Sequence, residues 1–338
     1  MATPATFEDR PSPMSVTRAS DIHASDADSV FCPPTGGTAP PGTKAAEDRH
    51  RFRVADYAVI LKPRVMSLVV FTACVGLALA PGTIAPVTAV IAVACIASGA
   101  GASGAINMWY DEDIDRIMRR TMNRPIPAGR MRPVAALATG IVLGTLGVAA
   151  MAAFVNAAAA ALLALTILYY VIVYTVWLKR RTPQNIVIGG ASGALPPMIG
   201  WTAVTGDVGL GALVLFAIIF LWTPPHSWAL ALYRNADYVA AGVPMMPVVA
   251  GEKATKRLML VYTAALLPAT LAPVAIGMSG WLYGAAAVAL GAVFAGHAIR
   301  LARNPGVGPA RPMFLYSILY LFLIFVALLA DRALAALV

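Results

Sequence analysis

The chain has 338 residues, of which 59% are hydrophobic and 12% charged, with a mean hydropathy of +0.74. Soluble domains carry roughly 25% charged residues, so this composition excludes an ordinary water-soluble enzyme and points to a polytopic membrane protein. The formal net charge of +9 is explained by membrane topology and anionic lipid headgroups, and it predicts no nucleic-acid partner.

Residues 1–52 are rich in Pro, Ser, Thr, Gly and Asp and lack hydrophobic periodicity, which predicts a disordered cytoplasmic tail. The tail has no apolar run suited to a cleaved signal peptide. Glu8, Asp9, Asp21, Asp26 and Asp28 make it too acidic for a mitochondrial transit peptide. From residue 53 to 338 the pattern is that of one all-α membrane domain. Nine spans are expected near 65–81, 87–109, 133–151, 157–176, 185–204, 209–232, 257–277, 281–299 and 313–330, each long enough to cross a bilayer as a helix. Lysine and arginine positions, which played no part in drawing these spans, test them. With the N-terminus in the cytoplasm and the C-terminus outside, only Arg332 of the 25 cations falls on the outer side. The first span is expected to act as an uncleaved signal anchor in a bacterial inner membrane. Cys32, Cys74 and Cys95 contain no CxxC pair and predict neither a disulfide nor a metal site.

Asn107, Asp111 and Asp115 follow at intervals of four where the second span meets a basic loop. On a helix this spacing stacks three oxygen-bearing side chains on one face, about 6 Å apart along the axis. A solvated acidic helix end is the ordinary reading of such a pattern. Its position at the membrane edge, facing many cations, favours a Mg²⁺ site. The ladder is expected to continue to Arg119, with Arg120 and Arg124 beside it, until Pro125 and Pro127 stop the helix. Lys62-Pro63-Arg64 and Lys179-Arg180-Arg181 form two further basic knots. Each alone reads as a topology determinant, but together around carboxylates they suit a diphosphate bridged by Mg²⁺. Asp237, in the loop Tyr233–Tyr238, could face the ladder if the second and sixth spans are neighbours.

His226 lies inside the sixth span in Trp222-Thr223-Pro224-Pro225-His226-Ser227-Trp228. The two prolines predict a kink that frees carbonyl groups. The histidine reads equally as a haem ligand or proton carrier, or as a neutral side chain bonded to a freed carbonyl. His297 reads as structural.

The stretch NMWYDEDIDRIMRRTMNRPIPAG resembles the NxxxDxxxD signature of the UbiA superfamily of intramembrane prenyltransferases, and its RTxNRPIPAG part resembles the haem O synthase branch. LKPRVMSLVVFT, YTVWLKRRTPQNIVIGGASGALPPMIGW, FLWTPPHSWALAL and YRNADYVAAGVPMMPVVAGEKAT extend the resemblance from about residue 53 to the C-terminus. The resemblance implies that Asn107, Asp111 and Asp115 hold Mg²⁺ on farnesyl diphosphate. It further implies that Lys62, Arg64, Arg119, Arg124, Lys179 and Arg180 surround the phosphates. Many superfamily members carry a second DxxxD, whereas here Asp237 is followed four residues on by Ala241, so the second half-site rests on Asp237 with Asn235. His226 matches the histidine of the branch, with Trp222 and Trp228 as further haem contacts. The implied acceptor is haem b and the implied product haem O, with a haem A synthase as downstream partner. Prenylation of an aromatic acid or quinone precursor is the alternative within the superfamily. A transporter is the alternative outside it, against which stand the clustering of polar residues at one membrane face and the lack of an internal repeat.

Overall fold

The computed structural model describes residues 53–337, so the tail expected over residues 1–52 lies outside the described residues. α1 (Val54–Ile60) and α2 (Pro63–Leu79) meet at a bend of 55°. α3 (Pro86–Tyr110) leads into the short α4 (Glu112–Ile117), and α5 (Pro133–Phe154) follows. α6 (Ala157–Leu168) runs on as a π-helix over Tyr169–Leu178. α7 (Asn185–Ala194) and α8 (Pro196–Thr205) are separated at Leu195, and α9 (Leu210–Tyr233) precedes the short α10 (Asn235–Ala240). α11 (Met246–Ala275), α12 (Trp281–Arg303) and α13 (Ala310–Ala335) complete the order.

Proline stands in the first turn of α2, α3, α5 and α8, where its missing N–H would have had no helical acceptor. Asn156 caps α6 by accepting from Ala159 N at 2.8 Å, and its amide donates to the Thr202 and Ala203 carbonyls at the far end of α8. Among the described residues eight helices are long and apolar enough to cross a membrane, counting α6 with its π segment and α7 with α8. The bent α1–α2 pair supplies the ninth span.

One expectation about the spans needs correction. The seventh was expected to start at residue 257, yet α11 begins at Met246 and is interrupted at Gly251, whose φ of 78° and ψ of 171° are open to glycine. Glu252, Lys253, Lys256 and Arg257 gave this stretch the composition of a loop. The helix nevertheless forms, because Lys256 is buried and donates to the Asn304 and Gly306 carbonyls at 3.1 and 2.9 Å. The sixth span, expected over 209–232, is the single helix α9 from Leu210 to Tyr233 with Pro224 and Pro225 inside it.

α3 packs along α5, α2 along α8, and α9 along α11, α7 and α13, while α11, α12 and α13 pack in succession and α13 returns to α2. Small residues make the close contacts, as expected where lipid removes the hydrophobic drive for helix pairing. A Cβ at Gly76 would lie 2.0 Å from the Pro197 carbonyl oxygen, and one at Gly200 2.1 Å from that of Ala73. The α2 and α8 backbones therefore touch at two places. Large apolar side chains such as Val142, Leu146, Leu165, Ile172, Val261 and Leu315 cover the perimeter, where lipid is the solvent.

Candidate active site

The acidic ladder forms as the spacing predicts. The helix hydrogen bonds continue from α3 into α4, with Asp111 N on Asn107 O at 3.0 Å and Asp115 N on Asp111 O at 2.8 Å. Asn107, Asp111 and Asp115 are 4%, 1% and 3% exposed. Three hard oxygen-bearing groups are thus sealed from solvent at one helix end. Asn107 Nδ2 donates to Asp111 Oδ2 at 2.6 Å and reaches Thr175 Oγ1 at 3.3 Å.

Cations close around them. Lys62 Nζ donates to Asn107 Oδ1 at 2.8 Å, Arg124 Nη1 to Asp115 Oδ2 at 2.6 Å, and Lys179 Nζ to Asp111 Oδ2. Lys62 sits at the α1–α2 bend with φ 52° and ψ 51°, the one non-glycine residue with positive φ among the described residues. Holding a side chain in this left-handed region costs on the order of 1–3 kcal/mol and marks functional positions. Here it turns the ammonium towards Asn107. Gly104 makes the approach possible, since a Cβ there would stand 3.2 Å from the Ile60 carbonyl oxygen and 3.4 Å from Lys62 Cδ.

The π-helix brings the opposite wall into register. Residues nine apart are about two and a half turns apart in an α-helix and face opposite ways. Wider i to i+5 turns bring them back towards one face. Thr175 Oγ1 donates to the Tyr170 carbonyl five residues back at 2.9 Å, and Tyr170, Tyr174 and Lys179 all line one cavity. Tyr170 and Tyr174 pack with ring centroids 5.3 Å apart.

That cavity, about 360 Å³, joins the ladder to an apolar interior. Lys62, Asn107, Asp115, Arg120, Arg124, Lys179 and Tyr238 line its polar end. Met66, Ile96, Gly99, Leu163, Ile167 and Ile199 line the other. The arrangement suits an amphiphile with an anionic head and a hydrocarbon tail.

Other predicted residues fall elsewhere. α4 ends at Ile117 and Met118 is extended, so the ladder does not reach Arg119, which is exposed and outside the cavity. Arg120 takes the cavity-lining place instead. Arg64 is exposed at the start of α2. Arg180 clasps Asp113 through two contacts of 2.7 Å and approaches Asp111 Oδ1 at 3.7 Å. This guanidinium holds the Asp113 carboxyl below its ordinary titration range, and Asp113 raises Arg180 in turn. Asp237 is half-buried and does not line the cavity. α3 and α9 are not extensively packed. Their adjacency is made beyond the helix ends, where Ile114 and Met118 pack with Ala231, Tyr238, Val243 and Met245. Burial among these neighbours raises the Tyr238 phenol.

His226 and Trp222 lie on the α9–α13 seam, outside the cavity lining. The imidazole stacks between Trp222 and Phe314, with centroids at 4.2 and 4.8 Å. Trp228 is fully buried, edge-on to Tyr262. Sequence reasoning missed Tyr170, Tyr174 and Thr175. The available signal was a run of hydroxyl side chains, Thr166, Tyr169, Tyr170, Tyr174 and Thr175, within an otherwise apolar span.

The residues present fit a hard divalent cation. Asp111 Oδ1 is buried without a hydrogen-bond partner, a costly state for a carboxylate unless a ligand completes it. Among the described residues no three His, Cys, Asp or Glu side chains form a full metal cage. That accords with Mg²⁺, which binds through one or two carboxylates and takes its remaining ligands from substrate phosphates and water.

Known proteins resemble this chain over most of its length. Residues 69–330 match the UbiA prenyltransferase family. The protoheme IX farnesyltransferase of Parvibaculum lavamentivorans is 59% identical over 283 residues, covering 82% of this chain and 89% of that protein. The protoheme IX farnesyltransferase of Acidiphilium cryptum is 53% identical over 308 residues, covering 88% and 97%. Among solved structures, a UbiA homologue from Aeropyrum pernix K1 superposes with a TM-score of 0.65 at 23% identity, covering 78% of this chain and 97% of that one. A homologue from Archaeoglobus fulgidus bound to GPP and Mg²⁺ superposes with a TM-score of 0.57 at 16% identity, covering 81% and 99%. The chain belongs to the UbiA prenyltransferase family.

Proposed function

We propose that this protein transfers the farnesyl group of farnesyl diphosphate to a vinyl group of protohaem IX, with addition of water, giving haem O and diphosphate. The observation that carries the reading is the sealed Asn107–Asp111–Asp115 ladder, ringed by Lys62, Arg124 and Lys179 at the mouth of an apolar cavity. The activity for which its bacterial relatives are named supports the acceptor, and the Mg²⁺-bound homologue supports the donor chemistry.

Asn107, Asp111 and Asp115 would hold Mg²⁺, with Asp237 and Asn235 at the opposite side once substrate is bound. Mg²⁺ supplies charge neutralisation to the diphosphate oxygens. Lys62, Arg120, Arg124, Lys179 and Arg180 bind the phosphates and stabilise the negative charge that grows as the C1–O bond breaks. Arg64 and Arg119, exposed and outside the cavity lining, would add to the positive field that attracts the anion. Met66, Ile96, Leu163, Ile167 and Ile199 enclose the farnesyl chain and exclude water from the allylic cation. The vinyl π electrons then bond to farnesyl C1. The resulting cation on the haem side chain takes up water and releases a proton. Trp222 and His226 lie outside the donor cavity, which supports an acceptor-side role for them, with Trp228 behind as packing.

The concentration of cations on one side supports a plasma-membrane topology with the N-terminus and the ladder on the cytoplasmic face, residues 53–338 forming the catalytic unit. Haem O would then pass to a haem A synthase. Purified protein incubated with haem b, farnesyl diphosphate and Mg²⁺ should yield haem O by mass spectrometry. A farnesylated hydroxybenzoate, with haem b untouched, would assign the protein to a different acceptor.

A further inference from the structure

The stacked histidine belongs to a hydrogen-bond chain whose direction is fixed at one end. Ser317, on α13, is fully buried. Its Oγ lies 2.6 Å from the Phe314 carbonyl oxygen and 2.7 Å from His226 Nδ1. A carbonyl oxygen only accepts, and two oxygens this close require a proton between them. The single hydroxyl proton of Ser317 is thereby committed to Phe314. The hydroxyl can meet Nδ1 only as an acceptor, so Nδ1 carries the imidazole proton and the lone pair is on Nε2. Nε2 makes no hydrogen bond among the described residues, and the ring is partly exposed.

Orientation is set together with protonation. Trp222 and Phe314 flank the ring at interplanar angles of 17° and 25°. The Trp222 indole Nε1 donates to the Ser317 carbonyl oxygen at 2.8 Å. One residue on α13 therefore fixes the histidine through its hydroxyl and the stacking tryptophan through its backbone. In metal-binding histidines the nitrogen away from the metal commonly donates to an oxygen in this way.

We infer that Ser317 is a positioning residue that holds His226 as the Nδ1–H tautomer and presents the Nε2 lone pair to the iron of the haem acceptor. The inference rests on the haem-farnesylating reading for the identity of the iron, and on the Ser317 geometry alone for the tautomer.

The two parts are tested separately on the full chain in lipid nanodiscs. With ¹⁵N-labelled histidine, the ring signals of His226, assigned by their loss in His226→Gln, should report a neutral ring protonated at Nδ1. Ser317→Ala should abolish that preference, and Ser317→Thr, which keeps the hydroxyl, should restore it. In a protohaem titration the wild type should give a shifted Soret band. Ser317→Ala should bind haem about 10–100-fold more weakly, with farnesyl diphosphate affinity unchanged. A wild-type ring protonated at Nε2 would overturn the inference even if Ser317→Ala failed to fold. A Ser317→Ala protein with wild-type haem affinity and spectrum would also overturn it. An Nδ1–H ring in a wild type that binds no haem would remove the iron, and with it the haem reading of the protein, leaving only the tautomer.

Discussion

The inner end of α3 and the seam between α9 and α13 both bury polar groups, by opposite means. At α3, carboxylates and cations face each other, Lys179 on Asp111 and Arg124 on Asp115, with Lys62 donating to the Asn107 amide oxygen beside them. Charge attraction tolerates a range of angles, so an incoming diphosphate and its metal can redistribute these partners. At the seam an imidazole ring is stacked between two aromatic faces and held by one hydrogen bond to Ser317. Stacking and donor direction allow it one orientation. The first site is built to exchange charges and the second to hold still. In the proposed reaction these properties belong to the ionising donor and the oriented acceptor.

Removing charge at the first site should produce the largest effect. Asp111→Asn or Asp115→Asn should lower haem O formation by at least about 10³-fold, while helical circular dichroism and elution volume remain those of wild type. EDTA should stop turnover until Mg²⁺ is restored. Activity in chelator would mean that cationic side chains alone neutralise the leaving group.

His226→Ala tests the second site and sharpens the contrast. Turnover on haem b should fall by on the order of 10²–10³, as for loss of one well-placed group in a desolvated site. Farnesyl diphosphate affinity should stay at its wild-type value. A loss confined to farnesyl diphosphate binding would join the two regions into a single donor site.

Gly99→Ala probes the apolar end of the donor cavity. Its Cβ would meet Leu163 Cδ1 at 2.7 Å and Ile167 Cδ1 at 3.1 Å, shortening the cavity. The KM for farnesyl diphosphate should rise about tenfold, the cost of roughly one misplaced methyl group or two. Geranyl diphosphate, shorter by one isoprene unit, should be less affected. Equal effects on both donors would place the chain end elsewhere.

The smallest change is expected at Asp113, which borders the ladder but is 63% exposed. Its pairing with Arg180 lowers its titration range. The linked stability is therefore present above the ordinary carboxylate range and lost as pH falls through the depressed value. Solvent screening keeps it small. Asp113→Asn should leave neutral-pH turnover within about twofold and lower the thermal midpoint only slightly at neutral pH, a difference that disappears as pH falls through the depressed carboxylate range. A strong loss would show that Arg180 needs this carboxylate to reach the phosphates.

The spans were legible because hydropathy and cation placement report independently on the same helices, and the ladder because a four-residue interval stays on one helix face. What escaped was register. Nothing in Tyr169–Leu178 marks a π-helix by composition, so Tyr170, Tyr174 and Lys179 could not be set on one face from α-helical spacing. Arg120 rather than Arg119 lines the cavity because α4 ends before the prolines rather than at them. Pro224 and Pro225 sit within a continuous α9, whose limits hydropathy alone located to within a residue. The stacked environment of His226 depends on Ser317 and Phe314, some ninety residues distant in sequence, and no local motif encodes it.

The double contact of Gly76 and Gly200 has a consequence for how this enzyme can diversify. α2 contributes Met66 and Val69 to the cavity and α8 contributes Pro196 and Ile199, yet the spacing of these helices is set by backbone against backbone. No smaller residue exists to bring them closer, and any larger one forces them apart. The α2–α8 spacing is thus a fixed gauge, and the chamber is resized for another prenyl chain by exchanging side chains, such as Met66, Val69, Ile96, Leu163 or Ile167, and not by moving α2 against α8.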